Sequence, residues 1–365
     1  MTDRQAFLNA IIDRPDDDLL RLVFADYLEE NGDADRAEFI RLQVEHAATV
    51  PHSDGWAMRD LRLRELLREH DWRIPDLRGK QDFRRGFVEA VSTTAEGLME
   101  LPDEAFDSTP VRELRVWMAR DHLEAVADLP WMRRVETLDL RNSDLGINDR
   151  MLFFFSVVRL DRVRALGMRY NVLWADNLTT FFRSWTEYRQ LTALDLSGNP
   201  LSDAGMQVLA MQPLHNLREL TFRTEDLQYA DCVHADGAAA LADSPGLTGL
   251  ERLDLRGHHI GDAGFIDLVG SPNAARLQLL DVGFNDIGET GDSAVEALRS
   301  SPHLGELRVL RLNGNAIDRL WADALAGWDR LEHMDEIDLR RCEFGPGARR
   351  VLEQSPHVGK FILAE

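Results

Sequence analysis

One phrase of sequence recurs along most of this chain and limits what the chain can fold into. Its form is L-x-x-L-x-L-x-x-N-x-L, and the clearest copy contains Leu191, Leu194, Leu196, Asn199 and Leu201. Other copies, some of them weaker, start 24 to 33 residues apart along the chain. They begin at Val111, Val135, Val163, Leu217, Leu250, Leu277, Leu307, Met334 and Val358. Recurrence at such a period predicts an array of repeats, in which each unit buries its apolar residues against its neighbours.

Each copy predicts one strand followed by one helix. The alternating aliphatic residues are typical of a strand with one buried face. The stretches between copies, such as Asp203–Ala210 and Gly291–Arg299, have helical spacing. The Asn of the phrase falls where the chain leaves the strand, and it can bond backbone groups that would each cost about 1–3 kcal/mol if left unpaired. His258 and Cys342 occupy this slot in two copies. We expect both to act structurally, with the buried thiol inert.

This pattern resembles the leucine-rich-repeat family, and specifically its longer, ribonuclease-inhibitor-like class. The resemblance implies an α/β fold, namely a leucine-rich-repeat solenoid (a horseshoe) with a parallel concave sheet and convex helices. Three or four buried aliphatic side chains stabilise one repeat by roughly 5–10 kcal/mol. Ordering some two dozen residues costs on the order of 1–2 kcal/mol for each residue. A single repeat therefore cannot fold alone, and the array must be continuous.

The first 50 residues have helical rather than repeat periodicity. Pro15 and the three Asp residues after it predict a helix start, and Asn31-Gly32 predicts its end. The stretch Arg21–Asp33, followed by Arg36–Gln43, resembles the bacterial repeat-companion domain, a short module found ahead of leucine-rich repeats. Tyr27 stands where that family often has Trp, which preserves an aromatic residue on the apolar face. The resemblance implies a small all-α N-terminal module in a bacterial protein, and it implies no particular activity.

We therefore predict three parts: a helical repeat-companion module over residues 1–50, a bridging helix and N-terminal cap over 51–90, and the solenoid over 91–365. In the bridge, Trp56–His70 is predicted to be helical and Phe87–Val91 to be the first edge strand. Residues 1–50 carry a net charge of −7 and residues 51–90 one of +1. We therefore expect arginines of the bridge to contact the acidic helices before it. The candidates are Arg59, Arg62, Arg64, Arg68 and Arg73.

The amino-acid composition limits the kinds of partner that we expect and the cellular compartment that we expect for the protein. The net charge of −22 argues against nucleic acid, because binding to phosphates needs clustered Lys and Arg. We expect a protein partner instead, one with a basic surface that the acidic chain attracts, although the same charge could serve solubility alone. No apolar stretch is long enough to span a membrane, and the first 30 residues lack a signal-peptide pattern. Two cysteines cannot form a disulfide framework. These features favour a cytoplasmic protein.

Alternate strand positions predict two charged columns on the concave face. The acidic column contains Asp139, Asp195, Asp254, Asp281 and Asp338. The basic column contains Arg141, Arg169, Arg223, Arg256 and Arg340. Two columns of opposite charge suggest a recognition face. The alternative is that they neutralise one another laterally, because a residue that recurs in every copy more often belongs to the repeat than to a site.

Bulky residues interrupt these columns at Trp117, Met118, Tyr170 and Phe284, and aromatic and Arg side chains are the usual anchors of protein interfaces. Some of these residues could instead lie under loops. The predicted partner-binding set comprises Trp117, Met118, Arg141, Arg169, Tyr170, Arg223, Arg256, Phe284 and Arg340. A sheet about 10 Å wide presents less than the roughly 800 Å² that a standard interface buries per partner, so a partner must also touch loops at one rim.

No pattern in the chain predicts catalysis or a cofactor. Phosphate loops, nucleophile elbows and zinc-protease motifs are absent from the sequence, and the acidic pair Glu29-Glu30 has no recognisable acid/base partner. The insertion Asp231–Asp236 brings Asp, Cys and His together, but its spacing matches no established metal site. We predict a non-catalytic module that binds a partner protein, without metal or cofactor. The alternative is a dedicated regulator, an inhibitor or activator of one partner enzyme.

Overall fold

The fold is known from a computed structural model that describes residues 2–49, 53–224 and 231–363. The chain divides into two compact units, residues 1–140 with 158–163 and residues 141–157 with 164–365. The expected boundary at residue 50 falls outside the described residues, and the three-part division stays a prediction.

The first unit is a group of helices followed by a small sheet. Its elements are α1 (Asp3–Asp13), α2 (Asp18–Glu30), α3 (Ala34–Ala47), α4 (Asp54–Glu69), β1 (Lys80–Arg84), β2 (Phe87–Thr94), α5 (Ala95–Met99), β3 (Glu113–Trp117), α6 (Leu123–Ala127) and β4 (Thr137–Asp139). β1 and β2 form an antiparallel hairpin, and β2, β3 and β4 pair in parallel.

Local sequence explains where the N-terminal helices begin and end. The Asp17 side chain accepts a hydrogen bond from the backbone N–H of Leu19 and so caps α2, as the run of Asp residues predicts. Gly32 follows α2 with a φ of 88°, a left-handed conformation that glycine adopts at little cost. Phe24, Leu28 and Ile40 are buried in one apolar cluster between these helices. The predicted all-α N-terminal module is thus confirmed.

A buried ion pair joins α2 to the hairpin. The Arg21 Nη2 lies 2.7 Å from the Glu89 Oε1, and both side chains are completely buried. Arg21 also donates hydrogen bonds to the backbone oxygens of Pro15 and Arg85. Arg112 contacts the other carboxylate oxygen of Glu89 at 2.8 Å. The charged atoms of this ion pair therefore have hydrogen-bond or ion-pair partners, which offset the cost of burying them.

Two expectations for the bridge need correction. Phe87–Val91 is strand, but it is not at the edge, because β1 pairs with it through the tight turn at Arg85-Gly86. Of the five arginines expected to reach the acidic helices, Arg59 and Arg62 do so, at 3.2 Å from Glu45 and 2.7 Å from Glu38. The other three contact residues close to them in the sequence: Arg64 contacts Asp60, Arg68 contacts the Arg64 carbonyl, and Arg73 contacts Asp71.

The second unit repeats a strand and a helix. Its helices are α7 (Arg150–Val157), α8 (Ala175–Ser184), α9 (Ser202–Ala210), α10 (Ala235–Ala242), α11 (Gly261–Gly270), α12 (Ser293–Ser300), α13 (Arg319–Ala326) and α14 (Ala348–Glu353). Its strands are β5 (Ala165–Gly167), β6 (Ala193–Asp195), β7 (Glu219–Thr221), β8 (Arg252–Asp254), β9 (Leu279–Asp281), β10 (Val309–Arg311), β11 (Ala316–Ile317), β12 (Glu336–Asp338), β13 (Glu343–Phe344) and β14 (Phe361–Ile362).

The strands of the second unit pair in parallel and in chain order, except that β11 and β13 form a separate pair. The register aligns equivalent positions of the repeat: Leu194 pairs with Leu166 on one side and Leu220 on the other. These central leucines are buried, and so are Leu196 and Leu201 of the same copy. The predicted α/β leucine-rich-repeat fold is confirmed.

The Asn slot has the structural role expected of it. The Asn199 Oδ1 accepts hydrogen bonds from the backbone N–H groups of Asn171 (2.8 Å) and Leu173 (3.1 Å), and its Nδ2 donates to the Met168 oxygen at 2.9 Å. Asn315 contacts the turn before it in the same way, through Asn285 N, Ile287 N and the Val282 oxygen. These side chains bind backbone groups that the sheet leaves unpaired.

His258 and Cys342 occupy the same slot. The His258 Nε2 lies 2.8 Å from the Phe222 oxygen, and its Nδ1 accepts the N–H of Val233. Burial is the main cause that lowers the pKa of His258, to about 4, so its ring is neutral at pH 7 and can fill both roles. The Cys342 thiol donates to the Leu312 oxygen, and burial raises its pKa to about 11. The structural role expected for both residues is confirmed.

Candidate functional site

The nine residues expected to bind a partner divide between the two units. Trp117 and Met118 belong to the first unit, where Trp117 is half-buried at the end of β3 and Met118 is exposed. The other seven lie in the second unit, just beyond the carboxyl ends of strands or near them. We call the face of its sheet that carries the Asp and Arg columns the open face.

The acidic column of the open face has a structural role that sequence reasoning missed. In four copies one carboxylate oxygen of the Asp accepts the backbone N–H of the residue two positions later, which stabilises the turn at the end of the strand. These donors are Ser197 to Asp195 (3.0 Å), Arg256 to Asp254 (3.2 Å), Gly283 to Asp281 (3.1 Å) and Arg340 to Asp338 (3.0 Å). Asp254, Asp281 and Asp338 are buried. The recurrence of Asp therefore follows from the fold and does not by itself mark a binding site.

Several arginines of the basic column pair with this acidic column. Arg169 lies 2.8 Å from the Asp195 carboxylate of the next repeat, and Arg223 lies 2.9 Å from that of Asp254. Arg340 contacts Asp338 of its own strand at 2.7 Å. These contacts favour the alternative that the two columns neutralise one another at these three arginines.

Arg256 is arranged differently, because the next two strands, β9 and β10, each lack at least one residue of the two charged columns. β10 has Arg311 where five other copies have Asp, and Arg311 contacts the carboxylates of Asp281 (3.5 Å) and Glu336 (3.3 Å). Arg256 has no carboxylate within 4 Å among the described residues, and its guanidinium lies over the Phe284 ring, 4.8 Å from the centroid. Gly283 occupies the basic-column position of β9, and the Asn313 side chain of the next repeat lies against it.

The third residue after the strand has a left-handed backbone in most copies, and two of the irregular aromatic residues occupy this position. Tyr170 and Phe284 have φ values of 54° and 56°, and the equivalent residues one repeat later are Gly198 and Gly314. A Cβ added at either glycine would collide with the preceding aromatic ring. Each ring thus lies across a glycine, with Tyr170 exposed and Phe284 half-buried. These two side chains are held in position by the fold and still reach solvent.

A cleft opens beside Phe284, and we call it the rim cleft. Its volume is about 480 Å³, and it is lined by Thr224, Arg256, Gly257, His258, His259, Phe284, Asp286, Gly314 and Arg341. His259 Nδ1 lies 2.5 Å from the Asp286 carboxylate, whereas exposed Arg341 has no ion pair among the described residues. Arg256 and Phe284 were predicted from sequence, but Arg341, His259 and Asp286 were not. What these three residues share is a position three to five residues beyond the end of a strand, outside the columns.

A family model described as Leucine Rich repeat matches residues 189–210 and 247–269. Both segments contain copies of the L-x-x-L-x-L phrase, and β6 and β8 lie within them. The chain contains leucine-rich repeats. The match does not extend to residues 1–188, so the resemblance of the N-terminal module to the repeat-companion domain stays a prediction, as does the ribonuclease-inhibitor-like class.

Two solved structures that are similar to this one are distant from it in sequence. A chain of the yeast Rad7–Elc1 complex is 15% identical with a TM-score of 0.46, over 93% of this chain and 94% of that chain. A protein from Bacteroides fragilis is 12% identical with a TM-score of 0.40, over 74% of this chain and 79% of that one. No curated protein matches this leucine-rich-repeat chain in sequence.

Electrostatics vary along the acidic column of the leucine-rich-repeat sheet. Burial, together with repulsion from Asp281, raises the pKa of Asp254 to about 6 despite the nearby Arg223. Burial also raises the pKa of Asp281. Burial acts in the same direction on Asp338, but hydrogen bonds from Arg340 outweigh it and lower that pKa. Of these three carboxyl groups, that of Asp254, next to the rim cleft, is therefore the one whose negative charge the fold disfavours most.

The insertion Asp231–Asp236 in the longest repeat brings Cys232 and His234 into different surroundings. Residues 225–230 lie outside the described residues, and within Asp231–Asp236 the Cys232 side chain is buried while His234 lies 3.5 Å from Asp203. In the described parts of the chain, no three His, Cys, Asp or Glu side chains are arranged to hold a metal ion. No helix in those parts is long and apolar enough to cross a membrane.

Proposed function

We propose that this chain is a non-catalytic binding protein that holds a partner protein at the rim cleft and on the adjoining open face. One observation carries the proposal: Arg256 and Phe284, two of the predicted anchors, touch one another on the wall of the cleft. Arg and aromatic side chains contribute most to protein interfaces when they are held rigidly near the centre. The stacking on Gly314 restrains Phe284 in this way.

The interface extends beyond the cleft. A volume of about 480 Å³ takes one or two side chains, which is far less than the roughly 800 Å² buried per partner in a standard complex. The remaining contacts come from Arg169, Tyr170 and Arg223 on the open face, together with the turns that follow the strands. Arg141 and Arg340 complete the proposed set in the second unit, and Trp117 and Met118 are the proposed contacts of the first unit.

The charges of the chain act on a partner in two ways, by long-range attraction and by contacts inside the rim cleft. The net charge of −22 attracts a partner with a basic surface over a range of about one Debye length, roughly 8 Å at physiological ionic strength. Inside the rim cleft, Arg256 and Arg341 instead favour an acidic side chain of that partner. The same net charge disfavours nucleic acid, and both cysteines are free, which suits a reducing cytoplasm.

Affinity capture tests the proposal. The full chain and the variant Arg256→Ala/Phe284→Ala are used as bait in lysate of the source organism, and the captured proteins are compared by quantitative mass spectrometry. The matched control is Arg299→Ala, an exposed residue in α12 that does not line the cleft. We expect the double variant to lose a partner that the wild type and the control retain. A folded double variant that retains every wild-type partner contradicts the proposed site.

The alternative of a dedicated enzyme regulator is tested by the same experiment. A captured partner that is an enzyme is assayed with increasing amounts of this chain. A change in its turnover that Arg256→Ala/Phe284→Ala abolishes identifies a regulator, whereas an unchanged turnover identifies a binding module alone.

A further inference from the structure

Arg36 is a buried cation without a counter-ion. It lies in α3, its residue is 9% exposed, and its Nη2 donates a hydrogen bond to the Gly86 oxygen at 2.6 Å. Its Nη1 is buried and has no hydrogen-bond partner in the described residues. No carboxylate lies within 4 Å of the guanidinium in those residues either, although Asp33 attracts it from farther away. A charged group in this state is costly, because its Nη1 has lost water without gaining a hydrogen-bond acceptor.

Aromatic rings surround the Arg36 guanidinium. Its Cζ lies 4.8 Å from the centroid of Trp72 and 5.4 Å from those of Phe39 and Phe87. The electron-rich faces of such rings attract a cation and offset part of the cost of burial. They do not satisfy the Nη1 donors. Arg21 of the same unit provides the contrast, because it is fully buried and pairs with Glu89 at 2.7 Å.

Arg36 lines a cavity of about 180 Å³ that contains an unusual charge distribution. Two further arginines, Arg4 and Arg73, line it, together with Ser108 and Thr109. The rest of the lining is apolar or Pro, and no Asp or Glu is present in it. A chain with 64 acidic and 42 basic residues thus places three arginines and no acid around one cavity. We call this space the Arg36 cavity.

Arg36 stays cationic at neutral pH in this setting. Burial is the main cause that lowers its pKa, to about 9, and Arg4 acts in the same direction while Asp33 opposes them. A guanidinium that remains charged cannot relieve the missing contact by losing its proton. An anion that enters the cavity can relieve it.

We propose that the Arg36 cavity binds a small oxyanion, a phosphate or carboxylate group that accepts hydrogen bonds from Arg36 and is attracted by Arg4 and by Arg73, whose contact with Asp71 is a loose one of 3.8 Å. The volume corresponds to about six water molecules, which is enough for one such group. The planar guanidinium is the side chain best suited to this chemistry, because two of its N–H groups can bind two oxygens of one anion. This site lies in the first unit and is independent of the rim cleft.

The proposal is tested with the full-length protein and inorganic phosphate. Binding is measured by isothermal titration calorimetry, and the melting temperature is followed in phosphate, in acetate and in sodium chloride at equal ionic strength. We expect one site per chain and a rise in melting temperature with phosphate, acetate or both, beyond that with chloride. A response to phosphate alone indicates a phosphate group, and one to acetate alone a carboxylate. No response to either anion at millimolar concentration overturns the proposal.

Substitutions assign the binding to this cavity. Arg4→Ala and Arg73→Ala change exposed residues, so both variants should fold, and each should weaken phosphate or acetate binding by roughly three- to tenfold through loss of a nearby positive charge. Arg78→Ala is the control, because its side chain is 79% exposed and does not line the cavity. Arg36→Met should abolish binding. Equal affinities for the Arg4, Arg73 and Arg78 variants would mean that the anion binds elsewhere and would overturn the assignment.

Discussion

Replacing Asp254 by Asn should stabilise the protein at pH 7 and should leave its stability nearly unchanged at pH 4. The pKa of this buried carboxyl is raised from 3.8 to about 6, mainly by burial and then by Asp281. A raised pKa means that the folded state binds the proton more tightly than the unfolded state does. The penalty for the charged form is therefore absent below about pH 4, grows between pH 4 and pH 6, and is complete above pH 6.

The magnitude follows from the size of the pKa shift. A shift of about two pKa units corresponds to about 3 kcal/mol of free energy of unfolding at pH 7. Asn keeps the oxygen that accepts the N–H of Arg256, so the turn after β8 is preserved. It carries no charge that has to be buried, and the attraction of Arg223 is already included in the raised pKa. We expect Asp254→Asn to gain up to about 3 kcal/mol at pH 7.

Urea unfolding followed by circular dichroism at pH 4.5, 6 and 7.5 measures this difference. Asp338→Asn is the matched control, because it occupies the equivalent position of β12 but has a lowered pKa. Its carboxylate contributes stability above the unfolded pKa and loses that contribution as the pH falls, so the control should lose stability at pH 7.5. The reasoning fails if the difference between wild type and Asp254→Asn does not change with pH.

Three further substitutions test contacts inside one unit or the other. Glu89→Gln should lower the free energy of unfolding in urea by about 3–5 kcal/mol, because it leaves the buried Arg21 guanidinium without its counter-ion. Glu38→Gln, in an exposed ion pair, should cost under about 1 kcal/mol. Similar losses for the two variants would contradict this expectation. His258→Ala should cost about 1–3 kcal/mol for each of the two backbone groups that it leaves unpaired. His258→Asn should have a higher melting temperature than His258→Ala, because Asn fills the same slot in other copies. An Asn variant no more stable than the Ala variant would argue against the shared slot. Gly198→Ala should lose about 1–2 kcal/mol from its left-handed backbone alone. Tyr170→Ala should recover the additional loss from the collision in a double-mutant cycle, and strictly additive losses would refute the stacking.

The repeat and its register could be predicted from sequence because they depend on which residues are apolar and how far apart they stand. Leu194 and Leu196 are buried, and Asn199 makes the expected backbone hydrogen bonds. His258 and Cys342 could be placed in the Asn slot for the same reason, since the slot is fixed by counting from the leucines. Such positions are determined within one copy.

The charged face could be predicted only in outline, because its chemistry depends on contacts between copies. Counting places Asp281 and Arg256 in their columns but does not show that Arg311 of the next strand contacts the Asp281 carboxylate. Nor does it show that the backbone turn uses the other carboxylate oxygen. These contacts decide which arginine of the columns remains available to a partner. Arg341 of the rim cleft was missed for another reason, because it lies outside the columns, three residues beyond β12.

The Arg36 cavity was beyond prediction for a different reason. Residues far apart in the sequence line it, from Arg4 in α1 to Thr109 before β3, and no local pattern connects them. Within α3 the sequence around Arg36 reads as an ordinary amphipathic helix. The missing counter-ion becomes visible only when the three aromatic rings and the hairpin are in place.

The hydrogen bonds of the Asn slot run in one direction along the chain. Asn199 binds backbone groups of the turn at Asn171, and Cys342 binds the oxygen of Leu312, so each repeat is completed by the repeat that follows it. Removing repeats from the C-terminal side therefore also removes the slot side chain that binds the last remaining turn. Removal from the N-terminal side of the second unit instead leaves a slot side chain without the turn it binds, together with strand N–H groups such as that of Thr192, which donates to the Arg164 oxygen. The two ends of the array thus expose different unpaired groups when repeats are lost.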